Sequence, residues 1–284
     1  MSLVSQSRIV ITGAGGQLGR ALADRAPEAV ALGRADLDIT DSDAVAAAVR
    51  SGDVVLNCAA YTAVDAAESD RAAARAGNVT GPGILAARCR EIGARLVHIS
   101  TDYVFDGTGE RPYEPSDPTG PTSVYGSTKL AGERAVLLAD PRATIVRTAW
   151  VYTGDRGDFV ATMRRLEAER ETISVVEDQV GSPTYAPDLA AGLLELVAQH
   201  KNPGVVHATG SGAVSRFELA RAVFAELGAD PDRVRPCGSA DFPSPARRPA
   251  YSVLSNRSWV AVGLTPLRDW RDALSDALLR VAPR

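Results

Sequence analysis

The feature that most restricts the possible folds is a glycine-rich turn near the N-terminus, "VITGAGGQLGRAL", where an apolar run leads directly into Gly13, Gly16 and Gly19. The spacing is G-x-x-G-x-x-G, and Leu18 stands where the G-x-G-x-x-G pattern has its last glycine. Between a strand and a helix, such glycines tolerate positive φ and let the backbone approach an anion at the helix start. The turn predicts dinucleotide binding; a flexible strand-to-helix connection is the simpler alternative.

The first 150 residues alternate short β-branched runs with Ala-rich stretches of helical character. Because the runs are almost entirely apolar, they are typical of parallel strands covered by helices on both faces. We therefore predict an α/β fold, a Rossmann-like doubly wound parallel sheet with ligands at the carboxyl ends of its strands. The predicted strands are "RIVITG", "AVALG", "DVVLNCA", "RLVHIST" and "ATIVRTAW", with helices over 17–26, 41–51 and 71–92.

Beyond Trp150 the pattern is less regular and indicates a smaller C-terminal α+β lobe that binds substrate. Helices are predicted over 157–170 and 187–200, and a capping box from Ser215 to Glu218 predicts the start of another. The irregular stretch "CGSADFPSPARRPAYS" is long enough to suggest a functional loop. We expect residues 1–150 to form a dinucleotide-binding domain and residues 151–284 to form mainly the lobe, with some segments rejoining the first sheet.

Composition excludes several classes of function. The net charge of −4 arises from 31 basic and 35 acidic residues without a basic run, so we expect no nucleic-acid partner. Three scattered cysteines, Cys58, Cys89 and Cys237, fit neither a disulfide framework nor a zinc site and indicate a reducing, cytoplasmic setting. The apolar run before Gly13 is too short for a signal peptide or a membrane span, so no membrane association is expected.

The second predicted strand bears on the choice of cofactor. NAD enzymes usually carry an acidic residue at its tip, whereas this sequence has Gly33 and Arg34 in "ALGRADLDI". A guanidinium there can accept a 2′-phosphate, which favours NADPH. NADH remains possible if Arg34 is a solvated surface residue and Asp36 folds back onto the ribose.

A second candidate site lies in "VYGSTKLAGE", where Tyr125 and Lys129 fall on the same face of a predicted helix. A phenol titrates near ~10, and a neighbouring ammonium together with a positive nicotinamide would lower its pKa enough for acid catalysis. "RLVHIST" ends at Ser100 and Thr101, where a hydroxyl can donate to a carbonyl oxygen that becomes negative. Each feature alone has a structural reading, helix surface for the pair and backbone capping for the hydroxyls.

Taken together, these motifs resemble the extended short-chain dehydrogenase/reductase superfamily. Within it, "STDYVFDG", "VYGSTKLAGE", "RTAWVY", "DQVGSPTY" and "PARRP" look like the dTDP-4-dehydrorhamnose reductases, over about residues 8 to 280. The resemblance implies NAD(P)H-dependent reduction of the C4 ketone of dTDP-4-dehydro-L-rhamnose to dTDP-L-rhamnose. The partner it implies is a dTDP-sugar substrate, bound by a monomer or homodimer.

By position, the resemblance also assigns roles to individual residues. The catalytic trio is Thr101, Tyr125 and Lys129, of which Tyr125 and Lys129 also bind cofactor. The other cofactor positions are the pyrophosphate turn, the adenine contacts and the backbone beside the nicotinamide ribose, matched by Gly16, Gln17, Leu18, Asp38, Ile39, Ala60, Tyr61 and Thr62. The sugar-binding positions are Asp102 and Trp150.

Other residues keep two readings. Trp150 can offer an apolar face to a 6-deoxy sugar or simply pack in the core. Arg247 and Arg248 can clamp a diphosphate bidentately or be ordinary loop arginines. Asp65 and Glu68, just after the third strand, are better read as a charge pair at a helix start than as catalytic carboxylates.

We expect no metal. His98, His200 and His207 have no ligand spacing, and His98 falls within a predicted strand. Some members of the resembled family hold magnesium through glutamates, one of them in the first turn after the glycines. Here that turn reads Arg20, Ala21, Leu22.

Two alternative functions remain open from sequence. A non-catalytic, NADP-binding regulatory subunit of methionine adenosyltransferase resembles the same family, although intact Thr101, Tyr125 and Lys129 argue for an enzyme. A 4-ketoreductase acting on another dTDP-deoxysugar would share most of these motifs.

Overall fold

The computed structural model describes residues 7–155 and 157–281. Its strands are β1 (Ile9–Thr12), β2 (Val30–Leu32), β3 (Val54–Asn57), β4 (Arg95–Thr101), β5 (Thr144–Thr148), β6 (Val151–Tyr152), β7 (Ile173–Val176), β8 (Val180–Gly181), β9 (Thr184–Tyr185), β10 (Val205–His207), β11 (Val214–Ser215) and β12 (Val234–Cys237). Its α-helices are α1 (Gln17–Arg25), α2 (Ser42–Ala48), α3 (Val64–Ala67), α4 (Arg71–Arg75), α5 (Gly81–Ile92), α6 (Val124–Ala139), α7 (Phe159–Glu169), α8 (Ala186–Ala198), α9 (Arg216–Glu226), α10 (Arg257–Ala261) and α11 (Trp270–Arg280).

The central sheet has six parallel strands in the order β10-β5-β4-β3-β1-β2, which confirms the predicted doubly wound fold. From β1 the chain passes to β2 on one side and then to β3 on the other, so the strand order reverses between β1 and β3. The crevice at the carboxyl ends of these two strands is where open α/β sheets bind ligands. β10, from the second half of the chain, lies at the sheet edge beside β5.

Side chains along the strands alternate between two apolar layers. Ile11 packs in the layer formed by α1, α8 and Trp259, whereas the neighbouring Val10 packs in the layer formed by α5 and α6. A third apolar cluster, which includes Phe224 and Trp270, joins α7, α9 and α11 in the second half of the chain. Within the described ranges, no helix has the length and apolar content needed to cross a membrane.

The helix predicted over 71–92 is interrupted by a π-helical turn, Ala76–Thr80, between α4 and α5. The turn places the buried side chain of Asn78 where its Oδ1 accepts from Tyr61 N at 2.8 Å and its Nδ2 donates to Tyr61 O at 3.1 Å. The same amide donates to Thr128 Oγ1 at 3.1 Å. Asn78 thus ties the segment after β3 to α6, a use of irregular helical turns that is common at functional sites.

The close approach of α6 to this turn makes Gly132 sensitive to substitution. A Cβ at Gly132 would lie 1.9 Å from Asn78 O, whereas a Cβ at Gly83 in α5 would lie 3.6 Å from Ala135 Cβ, an ordinary contact. We expect Gly132→Ala to lower the free energy of unfolding by about 2 kcal/mol or more, because the backbone of α6 or of the π-helical turn would have to move to admit the methyl group. Gly83→Ala, the matched control, should be neutral or slightly stabilising. Urea denaturation measures both, and equal effects would contradict the packing described.

Candidate active site

A cavity of about 690 Å³ opens at the carboxyl ends of β1, β3, β4 and β5. Most of the residues singled out from the sequence line it, namely Gly16, Gln17, Leu18, Gly19, Ala60, Thr62, Thr101, Asp102, Tyr125, Lys129 and Trp150. The loop after β6 and the start of α9 close its far side. The parallel strands therefore bring these distant segments of the sequence to one rim of the sheet.

The glycine turn forms one end of the cavity. Gly13 has φ +67°, and a Cβ there would lie 2.5 Å from Ala59 N; a Cβ at Gly19 would lie 2.3 Å from Gly13 O. A Cβ at Gly15 would meet no atom within 4 Å, so this position opens onto the cavity. Gly16 is the N-cap of α1 and supplies no side-chain hydrogen bond, which leaves the first helical N–H groups available to an anion. The turn therefore fits the diphosphate of a dinucleotide.

The residues predicted to contact the adenosine lie outside the lining of this cavity. Arg34 is exposed at the end of β2, and Asp36 Oδ2 accepts from Gly33 N at 2.8 Å. Asp38 Oδ1 accepts from both the backbone and the hydroxyl of Thr40, which lowers the pKa of this carboxyl. Ile39 is buried in the core below them.

Thr101 and Tyr125 both line the cavity. Thr101 Oγ1 donates to Asp102 Oδ1 at 2.9 Å and accepts from Tyr103 N at 3.2 Å. Burial raises the pKa of the Tyr125 phenol, and the neighbouring Thr101 side chain opposes that rise in part. From the sequence we expected a neighbouring ammonium and the nicotinamide to lower the pKa of Tyr125. The protein groups alone raise it instead. A phenol that stays protonated is suited to donate a proton.

Asp102 is almost fully buried beside this pair. Asp102 lines the cavity, and its Oδ2 has no hydrogen-bond partner among the described residues. Burial raises the pKa of Asp102 to about 6, against the opposing effects of Ser252, Thr101 and Arg216. The nearby Ser252 hydroxyl also has no hydrogen-bond partner among the described residues. An unpartnered buried carboxyl oxygen calls for a donor, and a sugar hydroxyl can supply one.

Lys129 reaches the cavity from the next turn of α6. Its Nζ donates to Ile99 O at 2.7 Å and lies 3.3 Å from His98 Nε2. Burial lowers the pKa of Lys129 to about 8. Among the hydrogen bonds of residues 7–155 and 157–281, none joins Lys129 directly to Tyr125, so the predicted pair shares the cavity without forming a bond.

A buried ion pair supports α6 from below. Arg147 of β5 binds Glu133 of α6 through two hydrogen bonds, of 2.9 and 2.7 Å, and both side chains are almost fully buried. Glu133 Oε1 also accepts from Ser100 Oγ at 2.5 Å. Ser100 therefore has a structural role, and the pair fixes the helix that carries Tyr125 and Lys129 against β4 and β5.

Sequence reasoning missed Arg216, the first residue of α9. Its guanidinium carbon lies 3.5 Å from the centroid of the Trp150 ring and 4.8 Å from that of Phe159. Burial lowers the pKa of Arg216 to about 10, and no salt bridge of the described residues neutralises it. Trp150 itself has φ +46°, uncommon for a residue with a Cβ, and its indole packs against Gly181. The only local signal was an arginine directly after the capping-box serine.

The two arginines predicted to clamp a diphosphate do not line the cavity. Arg248 binds Asp65 bidentately, with both distances 2.7 Å, and this contact holds the C-terminal loop against α3. Arg247 is exposed. Glu68 accepts from Val124 N at 2.8 Å and so caps α6. Asp65 and Glu68 thus hold neighbouring segments in place, consistent with a structural reading.

The described residues show no group of three or more His, Cys, Asp or Glu side chains placed to hold a metal ion. Cys58, Cys89 and Cys237 are free thiols. Arg20, in the first turn after the glycines, lines the cavity and donates to Gly15 O at 2.7 Å. Its positive charge there suits an anionic ligand.

Known proteins of one family match nearly the whole chain. Residues 7–282 match the family model of the RmlD substrate binding domain. A dTDP-4-dehydrorhamnose reductase of Mycolicibacterium smegmatis is 57% identical, with 98% of this chain and 87% of the relative covered. A probable dTDP-4,6-dihydroxy-2-methyloxan-3-one 4-ketoreductase of Streptomyces antibioticus is 49% identical, with 95% and 94% covered. The crystal structure of dTDP-4-dehydrorhamnose reductase from Bacillus anthracis in complex with NADP superposes with a TM-score of 0.92 at 36% identity, over 97% of this chain and 100% of that one.

Proposed function

The chain belongs to the dTDP-4-dehydrorhamnose reductases of the extended short-chain dehydrogenase/reductase superfamily, and we propose that it reduces the C4 ketone of dTDP-4-dehydro-L-rhamnose to give dTDP-L-rhamnose. NADPH is the cofactor, as the NADP complex of the Bacillus anthracis relative and the guanidinium of Arg34 suggest. The observation that carries the proposal is the cavity that Thr101, Tyr125 and Lys129 line together and that begins at an uncapped glycine turn.

The protein groups of the cavity fit the steps of such a reduction. When bound, NADPH supplies the hydride. Tyr125 donates its proton to the C4 oxygen, because its raised pKa keeps the phenol protonated until that oxygen gains negative charge. Thr101 orients the ketone by turning its hydroxyl from Asp102 Oδ1 to the carbonyl oxygen, and Asp102 Oδ2 accepts from a sugar hydroxyl. The backbone of the glycine turn holds the cofactor diphosphate.

We also propose that Arg216 takes the role first assigned to Arg247 and Arg248. It lies at the cavity beside Trp150, a predicted sugar contact, and its charge has no carboxylate partner among the described salt bridges. Asp102 is near this guanidinium but forms no salt bridge with it, and a diphosphate next to the sugar would give it charge-assisted hydrogen bonds. Arg248 is unsuited to this role because Asp65 already neutralises it.

Arg216→Met keeps an unbranched side chain beside Trp150 and removes the guanidinium with its charge. Losing a charge-assisted bond of about 1.5–3 kcal/mol predicts that KM for the dTDP-sugar rises about 10- to 100-fold, with kcat changed much less. Arg247→Met, at the exposed arginine, is the control and should leave KM unchanged. If Arg247→Met raised KM and Arg216→Met did not, the assignment of Arg216 would be wrong.

Absorbance at 340 nm tests the activity. The enzyme is incubated with dTDP-4-dehydrorhamnose and either NADPH or NADH, and the expected result is faster consumption of NADPH, with dTDP-L-rhamnose identified by NMR. The Streptomyces antibioticus relative favours a second candidate, a 4-ketoreductase for another dTDP-deoxysugar. A higher kcat/KM for such a sugar than for dTDP-4-dehydrorhamnose would show that the second candidate is the better assignment. No consumption of either cofactor with any dTDP-4-keto sugar would refute a reductase.

We place this reaction in the cytoplasm, a reducing compartment suited to the free thiols of Cys58, Cys89 and Cys237. For the oligomeric state we propose a monomer or a homodimer.

A further inference from the structure

A row of three hydrogen-bonded polar side chains crosses the centre of the sheet from β1 to β4. Thr12, Asn57 and His98 are register neighbours on β1, β3 and β4, and all three are completely buried. They lie on the face covered by α5 and α6, since Val10 and Val55, two residues before Thr12 and Asn57, pack in that layer. The row ends at Lys129. Burying polar side chains costs free energy, and apolar residues would form these strands equally well, so we expect this row to have a role at Lys129.

Hydrogen bonding fixes the orientation of the Asn57 amide. Asn57 Oδ1 lies 3.1 Å from Ala59 N and 2.7 Å from Thr12 Oγ1. A backbone N–H can only donate, so the amide oxygen must face Ala59. Asn57 Nδ2 therefore faces His98 and donates to His98 Nδ1, 2.9 Å away.

The same bond fixes the position of the proton on His98. Because Nδ1 accepts, the neutral ring carries its proton on Nε2, and this N–H points at Lys129 Nζ, 3.3 Å away. Burial and Lys129 lower the pKa of His98 well below its usual value, which keeps the ring neutral. An N–H opposite an ammonium is unfavourable, whereas a neutral amine can accept from it.

We propose that His98 is a positioning residue: directed by Asn57, it donates its Nε2–H to Lys129 and thereby favours the neutral amine over the ammonium. In that state Lys129 accepts from His98, donates to Ile99 O, and keeps one N–H for a hydroxyl in the cavity that it lines. Lys129 is then a group that exchanges its proton near neutral pH rather than a permanent charge beside Tyr125.

The other groups around Lys129 do not remove this effect. One helical turn away on either side are Tyr125 and Glu133, and Glu133 favours the ammonium. Its carboxylate is, however, already bound by Arg147 and Ser100. Cys58, which directly follows β3, also acts on Lys129. It is a neutral thiol, because burial raises its pKa to about 12.

The inference rests on the proposed function only for the role of Lys129 in catalysis. The sequence makes it easy to test, because few residues would give NMR signals of the two types needed. The chain contains three histidines, and Lys129 and Lys201 are its only lysines. With ¹⁵N-labelled histidine, NMR should show the proton of His98 on Nε2. His207 is the internal reference, since its Nδ1 lies 3.0 Å from Tyr113 O and must carry the proton. A His98 proton on Nδ1, or a doubly protonated ring, would overturn the proposal.

Asn57→Asp tests the causal link. A carboxylate facing Nδ1 draws the proton onto Nδ1, so Nε2 becomes an acceptor and stabilises the ammonium. With ¹³C-labelled lysine, we expect Lys129 to titrate near 8 in the unmodified protein and about one unit higher in the variant. Thr12→Val is the control: Ala59 still orients the amide, so neither the tautomer nor the titration should change.

The outcomes separate the proposal from simple electrostatics. A new carboxylate can raise the pKa of Lys129 through its charge alone, so an upward shift without the change of tautomer contradicts the role of His98. If Asn57→Asp folds and the pKa of Lys129 is unchanged, the proposed role of His98 is also contradicted. Both measurements follow protons in the resting protein, so they stand whether or not the chain reduces a dTDP-sugar.

Discussion

Replacing Tyr125 by Phe is expected to reduce kcat by about 10²- to 10⁴-fold, because the substitution removes the only proton donor that the account assigns to the C4 oxygen. The ring is retained, so the edge-to-face contact with Tyr103, at 5.5 Å between centroids, persists. Binding of NADPH, measured by fluorescence titration, should remain close to that of the unmodified protein.

Tyr103→Phe is the matched control, since it removes the adjacent phenol from the same cavity. We expect it to change kcat less than about tenfold, because Tyr103 has no role in proton transfer in this account. Loss of activity in Tyr103→Phe together with an active Tyr125→Phe would reassign the general acid to Tyr103.

Replacing Glu133 by Ala is expected to lower the free energy of unfolding by about 3–5 kcal/mol, because it leaves the Arg147 guanidinium buried without its counter-charge. The remaining partners of Arg147 are Pro115 O, at 3.3 Å, and the Phe105 ring, at 5.1 Å. Ser100 Oγ would also lose its acceptor. Urea denaturation followed by circular dichroism measures the change.

Glu91→Ala provides the comparison at the surface. Glu91 pairs with Arg88 at 2.9 Å, three residues apart on α5, and its side chain is 67% exposed. Such pairs contribute only about 0.2–1 kcal/mol. Similar losses in the two variants would show that the Glu133–Arg147 pair does not hold α6 as described.

The sheet and the glycine turn could be predicted because their signals are local. The runs "RIVITG" and "RLVHIST" are apolar enough to identify strands buried on both faces, and Gly13 does require the positive φ that the turn suggested. His98 was correctly placed within a strand. The interruption of the helix predicted over 71–92 was missed, because the π-helical turn depends on the contact of Asn78 with Tyr61.

Contacts across the fold explain the other differences. Arg216 and Trp150 are far apart in sequence, and only the start of α9 at the cavity brings them together. Arg248 belongs to a loop segment whose sequence suits a phosphate clamp, but in the fold Asp65, 183 residues away in sequence, binds its guanidinium. Equally, the spacing of Tyr125 and Lys129 gave no indication that Lys129 is held by His98 and Ile99.

Transfer of deuterium tests the central claim most directly. The protein is incubated with dTDP-4-dehydrorhamnose and NADPH that carries deuterium in the transferred position of the nicotinamide ring, and the sugar product is analysed by NMR. We predict one deuterium at C4 of dTDP-L-rhamnose for the unmodified protein, and a product yield in the same period that is far lower for Tyr125→Phe. A product without deuterium at C4, or equal yields from the two proteins, would contradict hydride reduction assisted by Tyr125.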